Sequence, residues 1–129
     1  MKHEVRVMQG QGSGSIINIS STYGHEGAAD ASVYVGSKHA VEGITKSVAL
    51  ETAKSGIRVN AVAPGPTDTG MLTRFTGTQQ KKASLAAEVP MGRLGRPEEL
   101  ADAIIFIASE QASYITGHIL NVDGGHTAN

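Results

Sequence analysis

The amino-acid sequence predicts an α/β fold in which short parallel strands alternate with longer helices. Apolar or alternating runs bounded by turn residues indicate strands at 15–20, 57–63 and 116–122. A helical pattern over 31–55 lies between the first two runs, and a second helix that starts near Arg96 precedes the third. Strand, helix and strand in this order form a right-handed crossover unit with parallel strands.

The remaining turns and helix ends are marked by glycine and proline. Residues 1–9 have the apolar spacing of the last turns of a helix, which Gly10 is expected to end. The glycines from Gly10 to Gly14 lack the G-x-G-x-x-G spacing of a dinucleotide-binding turn and precede a strand, so we expect a flexible loop there. Gly56 ends the long helix as a left-handed cap, and Pro97 opens the later helix.

Two faces of the long helix lead to different expectations. The apolar face should lie on the sheet, and its residues are Tyr34, Val41, Ile44 and Val48. The roughly opposite face is a stripe of small residues, namely Gly36, Ala40, Gly43 and Ser47. Because glycine in a helix costs about 1 kcal/mol relative to alanine, this stripe favours close approach of a helix from another subunit. A stripe that faces solvent, or the chain's own helix, is the alternative.

A tyrosine with a lysine one helical turn later is the main candidate for chemistry. Tyr34 and Lys38 are four residues apart, so their side chains share a helix face. A nearby ammonium favours the phenolate, which makes Tyr34 a candidate general acid–base. Ser21 follows the first strand and is positioned to hold a substrate oxygen. A Tyr–Lys pair also occurs by chance, but neither of the other two tyrosines has a lysine at this spacing.

A proline-rich turn, residues 64–69, follows the second strand. In open parallel sheets, ligands bind outside the C-terminal ends of the strands, so Ser21 and this turn should meet at one edge. Thr69 has a second interpretation, as the cap of a following helix. Residues 70–95 have weak periodicity and are a candidate mobile substrate lid.

Ser21, the Tyr34-x-x-x-Lys38 pair and the Pro64-Gly65 turn, in this order and spacing, resemble the short-chain dehydrogenase/reductase family over nearly the whole chain. The similarity is to members such as 3-oxoacyl-(acyl-carrier-protein) reductases and glucose dehydrogenases. It implies the C-terminal part of a Rossmann-like doubly wound parallel sheet, with three strands and flanking helices. It also implies reversible hydride transfer between NAD or NADP and a carbonyl or secondary alcohol.

The resemblance assigns roles to individual residues and to the long helix. It makes Ser21, Tyr34 and Lys38 catalytic, and the residues expected to touch the cofactor are Tyr34, Lys38, Pro64, Gly65, Thr67 and Thr69. Family members commonly pair subunits through the helix at 31–55, which suggests a homodimer or homotetramer.

Residues 1–129 are expected to form one partial domain, because the first half of such a fold is not recognisable in the sequence. The glycine-rich phosphate turn, the residue that reads the ribose and an asparagine of the proton relay have no counterpart. The chain is then the C-terminal part of a longer enzyme or a truncated product. Two other interpretations stay open: a non-catalytic oligomerising module, and epimerisation or dehydration of a nucleotide sugar by the same Tyr–Lys pair.

The composition of the chain argues against several other classes of protein. The formal net charge is −1, which offers no electrostatic case for nucleic acid or an anionic membrane. The sequence contains no run of about 18 apolar residues, which a membrane-spanning helix would need. No cluster of His, Asp or Glu residues has the spacing of metal ligands. The sequence has no cysteine, which fits a reducing cytoplasm.

Overall fold

A computed structural model describes residues 1–128 and confirms the three-stranded parallel sheet with flanking helices. The elements in chain order are α1 (Lys2–Gln11), β1 (Gly14–Ile19), α2 (Ser32–Thr52), β2 (Ile57–Pro64), α3 (Gly70–Thr76), α4 (Gln79–Glu88), α5 (Pro97–Ala108) and β3 (Ile119–Val122).

The sheet has the order β1-β2-β3, and both pairings are parallel. The central strand β2 is buried over most of its length. Its alternate side chains serve two cores: Ile57 and Val59 pack with Ala49 of α2, whereas Val62 packs with Leu100 and Ile107 of α5. Because successive strand residues point to opposite faces, the sheet is covered by α1 and α2 on one side and by α5 on the other.

Several boundaries agree with the sequence expectations, and one differs. Gly56 is left-handed with φ 72°, as expected of the residue that ends the α2 region. The first helix ends later than expected: it runs to Gln11, and the left-handed residue is Gly12 with φ 73°. The Gly12 amide donates to the carbonyl of Gln9, so this glycine, not Gly10, reverses the chain towards β1.

The expected sheet-facing side of α2 was wrong for two residues. Tyr34 is 48% exposed and Ile44 is 50% exposed. The residues that α2 buries are Glu42, Thr45, Ala49 and Thr52. The polar members of this set have partners: Thr45 Oγ1, for example, accepts a hydrogen bond of 2.8 Å from Asn18 Nδ2 of β1. Hydrogen bonding therefore allows polar side chains to occupy a face that hydropathy assigns to apolar ones.

Residues 70–95 contain two helices, each capped by a threonine. Thr69 Oγ1 accepts from the amide of Leu72 at the start of α3, and Thr78 caps α4 in the same way. The ammonium of Lys82 on α4 lies 2.5 Å from a carboxylate oxygen of Asp68, which ties α4 to the turn after β2.

The C-terminal end of α5 is held by one arginine of the central strand. The Arg58 guanidinium donates to the carbonyls of Ile107, Ala108, Ser109 and Ile115 at 2.9–3.2 Å. Helix C-terminal carbonyls have no partner within the helix, and a cation there also interacts favourably with the helix dipole. Within residues 1–128, no helix has the length and apolarity needed to cross a bilayer.

Candidate active site

Ser21 lies two residues beyond β1, at the start of a short 3₁₀ turn formed by Thr22–Gly24. It is buried, and its Oγ accepts a hydrogen bond of 3.3 Å from the amide of Tyr23. A hydroxyl has one hydrogen to donate as well as lone pairs that accept. The Tyr23 amide uses a lone pair only, so the Ser21 hydrogen remains available for an oxygen in front of the strand end.

Tyr34 lies in the first turn of α2, with about half of its surface exposed. Its ring meets the ring of Tyr23 edge to face, with centroids 6.4 Å apart and an interplanar angle of 90°. This arrangement is a favoured geometry for aromatic pairs. Tyr23 therefore connects the two candidates, because its amide contacts Ser21 and its ring contacts Tyr34.

Lys38 is fixed beside the phenol ring by a backbone contact. Its Nζ donates a hydrogen bond of 2.9 Å to the carbonyl of Ile19, the last residue of β1. The same Nζ lies 5.6 Å from the centroid of the Tyr34 ring, within the range of a cation–π interaction. The carbonyl thus holds the ammonium at the edge of the sheet where Ser21 and Tyr34 are found.

The turn after β2 contributes backbone to the same edge. The amide of Gly65 donates to the carbonyl of Val122, the last residue of β3. A Cβ at Gly65 would lie 2.7 Å from Cα of Asp123, so only glycine allows these two backbone segments to approach this closely. Pro64 is the last residue of β2, which places this turn at the C-terminal ends of β2 and β3.

The two threonines of this turn have different local roles. Thr67 Oγ1 donates to the carbonyl of Gly65 at 2.9 Å, and Thr67 also forms an isolated parallel bridge with Gly95. Thr69 caps α3, as its second interpretation expected, and its Oγ1 accepts from Leu72 at 3.3 Å. The cap uses a lone pair of Thr69, and its hydroxyl hydrogen is not needed for it.

In the described part of the chain, the Ser21 and Tyr34 side chains are not hydrogen-bonded to each other. The Ser21 Oγ contact is to the Tyr23 amide. The candidate cofactor residues lie on two strand ends, with Tyr34 and Lys38 near β1 and the turn of residues 64–69 after β2.

Sequence reasoning missed Glu42, which lies behind the turn that carries Ser21. Glu42 is buried in α2, and one of its carboxylate oxygens, Oε1, accepts a hydrogen bond of 2.8 Å from the Ser20 hydroxyl. Nδ1 of His25 lies 3.0 Å from the same oxygen. Helical periodicity gave no signal for Glu42, because a charged residue is expected on the solvated side of an amphipathic helix.

Asp123, which follows β3, and Glu99, in the first turn of α5, both have lowered pKa values. Partial burial acts to raise the pKa of Asp123, but hydrogen bonds from Thr127 and Gly125 outweigh it and the net pKa is lowered. Hydrogen bonds from the Arg93 side chain and the Arg96 amide lower the pKa of Glu99 to about 2. Within the described part of the chain, no group of three His, Asp or Glu side chains is arranged to hold a metal ion.

A family model for enoyl-(acyl carrier protein) reductase matches residues 1–127. Among curated proteins, the chain is 50% identical over 127 residues to cis-4-hydroxycyclohexanecarboxylate dehydrogenase of Sinomonas cyclohexanicum, covering 98% of this chain and 50% of that protein. It is 46% identical over 124 residues to the 3-oxoacyl-(acyl-carrier-protein) reductase FabG of Vibrio cholerae, covering 96% of this chain and 50% of that protein.

Solved structures show the same similarity. A structure described as ElxO with NADP bound superposes with a TM-score of 0.93 at 39% identity, covering 100% of this chain and 52% of that one. The ligand-free aldohexose dehydrogenase of Thermoplasma acidophilum gives a TM-score of 0.86 at 41% identity, covering 91% and 49%. The chain spans about half the length of the curated relatives it matches.

Proposed function

This chain belongs to the short-chain dehydrogenase/reductase family of oxidoreductases. From that premise we propose that Ser21, Tyr34 and Lys38, at the end of β1, form the proton-transfer site of an NAD(P)-dependent dehydrogenase. In the complete protein, the reaction is reversible hydride transfer between NAD(P) and a carbonyl or secondary alcohol. The order of Ser21, the Tyr34–Lys38 pair and the Pro64-Gly65 turn supports assignment of the chain to the second half of that fold.

The proposed roles follow from which hydrogens are free. Ser21 donates its hydroxyl hydrogen to the substrate oxygen, because the Tyr23 amide occupies only a lone pair of Oγ. Tyr34 Oη gives a proton to that oxygen in reduction and takes it back in oxidation. Lys38 stabilises the phenolate that results, since its ammonium is held beside the ring by the Ile19 carbonyl.

The residues present suit the nicotinamide end of the cofactor, which supplies or accepts the hydride when it is bound. Two of the three ammonium hydrogens of Lys38 are left after its bond to Ile19, so they can bind ribose hydroxyls. Thr69 keeps a hydroxyl hydrogen, and the turn formed by Pro64, Gly65 and Thr67 presents backbone groups. For the pyrophosphate, residues 1–128 offer no G-x-G-x-x-G turn between a strand and a helix.

The observation that carries this proposal is the Lys38 ammonium, bonded to a strand-end carbonyl and 5.6 Å from the phenol ring centroid. The test is Tyr34→Phe in the complete protein, assayed by NADPH or NADH consumption with a panel of ketones. We expect kcat to fall by about 10²- to 10⁴-fold, the usual contribution of a general acid–base.

The matched control is Tyr114→Phe, which removes the same hydroxyl from a fully exposed tyrosine without a lysine at i+4. Its kcat should equal that of the unchanged protein. Retention of most of the ketone-reducing activity by Tyr34→Phe would contradict the assignment.

A second candidate function, a non-catalytic assembly module, is favoured by the stripe on α2. The stripe residues Gly36, Ala40, Gly43 and Ser47 are all exposed in the single chain. Titration of the 129-residue chain with NADPH and NADH, followed by cofactor fluorescence, separates the two functions. Saturable micromolar binding excludes the module, and no binding excludes dehydrogenase activity for this chain alone.

Assembly through α2 has its own test. A Cβ at Gly43 would meet no atom within 4 Å in the single chain, so a larger side chain there is not strained by the fold itself. We expect Gly43→Arg to fold and to dissociate the oligomer into monomers, measured by light scattering after gel filtration. Gly77→Asn is the control, because Gly77 also has open space but is left-handed, a conformation that asparagine tolerates. An unchanged oligomer mass for Gly43→Arg would exclude this face.

A further inference from the structure

A buried carboxylate lies behind the turn that carries Ser21. Glu42 is only 5% exposed, although it lies on a 21-residue helix with a solvated side. Burial of a carboxylate is unfavourable unless hydrogen bonds compensate for its lost hydration. The contacts of Glu42 should therefore show what the side chain does.

Within residues 1–128, both of the hydrogen-bond partners of Glu42 belong to the segment that surrounds Ser21. Ser20 donates its hydroxyl to Glu42 Oε1 at 2.8 Å, and Nδ1 of His25 lies 3.0 Å from the same oxygen. A carboxylate oxygen only accepts, so Nδ1 carries the hydrogen of that contact. Glu42 thus hydrogen-bonds to the turn on both sides of Ser21: to Ser20, one residue before the serine, and to His25, four residues after it.

The turn is shaped to admit this carboxylate. Any Cβ at Gly24 would collide with the Glu42 carboxyl group and with the Ser20 hydroxyl. Gly24 is buried, and its amide donates 2.8 Å to the carbonyl of Ser21, which closes the 3₁₀ turn. The backbone of the turn and the Glu42 side chain therefore fit together only with glycine at this position.

Glu42 makes the third of three hydrogen bonds between α2 and successive residues at the end of β1. Asn18 bonds to Thr45, the Ile19 carbonyl accepts from Lys38, and Ser20 donates to Glu42. Ser21 is the next residue, and among residues 1–128 its side chain hydrogen-bonds only to the Tyr23 amide. The helix that carries Tyr34 thereby sets the path of the chain up to the residue before the serine.

We propose that Glu42 is a positioning residue that holds Ser21 in register with Tyr34, an inference that rests on the proposed function. Glu42 does not touch the substrate oxygen; it acts through the turn from Ser20 to His25. Displacement of a reacting group by about 1 Å can cost about 100-fold in rate. Loss of the hydrogen bonds from the turn to Glu42 should therefore lower kcat.

The test is a double-mutant cycle in the complete protein with Glu42→Met and Ser21→Ala. Methionine has a similar length and removes both acceptor contacts. We expect Glu42→Met to lower kcat by about 10- to 100-fold with little change in the KM for the nicotinamide cofactor. In the Ser21→Ala background, the same substitution should have almost no effect on the residual kcat. Glu51→Gln, an exposed carboxylate on the same helix, is the control and should leave kcat unchanged.

The outcomes separate a positioning role from a general structural one. Equal losses of kcat with and without Ser21 would assign Glu42 the general structural role, and unchanged kcat for Glu42→Met would also overturn the proposal. Nearly full activity of Ser21→Ala would instead overturn the proposed function. If Glu42→Met does not give a cooperative thermal transition, Ser20→Ala takes its place in the cycle, with a smaller fall in kcat that must again vanish without Ser21.

Discussion

Replacement of Arg58 by methionine should destabilise the chain more than any other single arginine change. Its guanidinium donates to four carbonyls at the end of α5 and in the segment that leads to β3. Methionine fills a similar volume along the strand but donates nothing, so the substitution isolates the hydrogen bonds from the packing of the side-chain stem.

The size of the stability loss depends on which other hydrogen-bond donors are available to each of the four carbonyls. Ala108 is exposed, so water can replace the guanidinium at its carbonyl. The Ile115 carbonyl also accepts from Asn60, and the Ser109 carbonyl also accepts from the amide of Ala112. Ile107 is fully buried, and a buried acceptor without a partner costs about 1–3 kcal/mol. Loss of the cation at the helix C-terminus adds about 0.3–1 kcal/mol. We therefore expect a loss of about 2–3 kcal/mol in the free energy of unfolding.

Thermal unfolding followed by circular dichroism measures this loss. For 129 residues, an unfolding entropy of about 2.1 cal/mol/K per residue converts it into a fall in Tm of roughly 7–11 °C. The Tm of Arg58→Lys should lie between those of the unchanged chain and Arg58→Met, because one ammonium cannot reach all four carbonyls. Arg6→Met, at an exposed position of α1, is the control. A Tm for Arg58→Met equal to that of the control would refute the reasoning.

Two further predictions concern the loops at the C-terminal ends of the strands. Gly65→Ala should lower Tm and weaken cofactor binding by the complete protein, since its Cβ would lie 2.7 Å from Asp123; Gly27→Ala, with open space around it, should do neither. Glu99→Gln should lower Tm at neutral pH, because Arg93 and Arg96 bind the ionised carboxylate and lower its pKa to about 2 from 4.5. A lowered native pKa stabilises the fold above about pH 4.5 and loses that effect as the pH falls towards 2. The Tm difference between Glu99→Gln and the unchanged chain should therefore shrink in acid, and a difference independent of pH would contradict this cause.

The order of the strands and helices was predictable from the sequence because the local sequence signals were strong. Apolar runs between turn residues marked β1 and β2, and Gly56 marked the end of the α2 region through its left-handed conformation. The parallel pairing then followed from the handedness of the crossover. These features depend on residues close together in sequence, which is where pattern reasoning is most reliable.

The orientation of α2 was not predictable in the same way. Glu42 and Thr45 are buried because Ser20 and Asn18, more than twenty residues away, satisfy them. Nothing local to the helix records those partners, so hydropathy placed Ile44 on the sheet instead. The candidate site shows the same division: the Tyr34–Lys38 spacing was readable, but the contact of Lys38 with a backbone carbonyl was not.

The contact of Lys38 with a main-chain oxygen affects how the end of β1 can be redesigned. The acceptor that holds the Lys38 ammonium is the main-chain oxygen of Ile19, whose own side chain is 48% exposed. A substitution at this position leaves the acceptor in place as long as β1 keeps its pairing with β2. The polarity of this exposed position can therefore be varied by mutagenesis at residue 19 without removing the acceptor that holds the Lys38 ammonium.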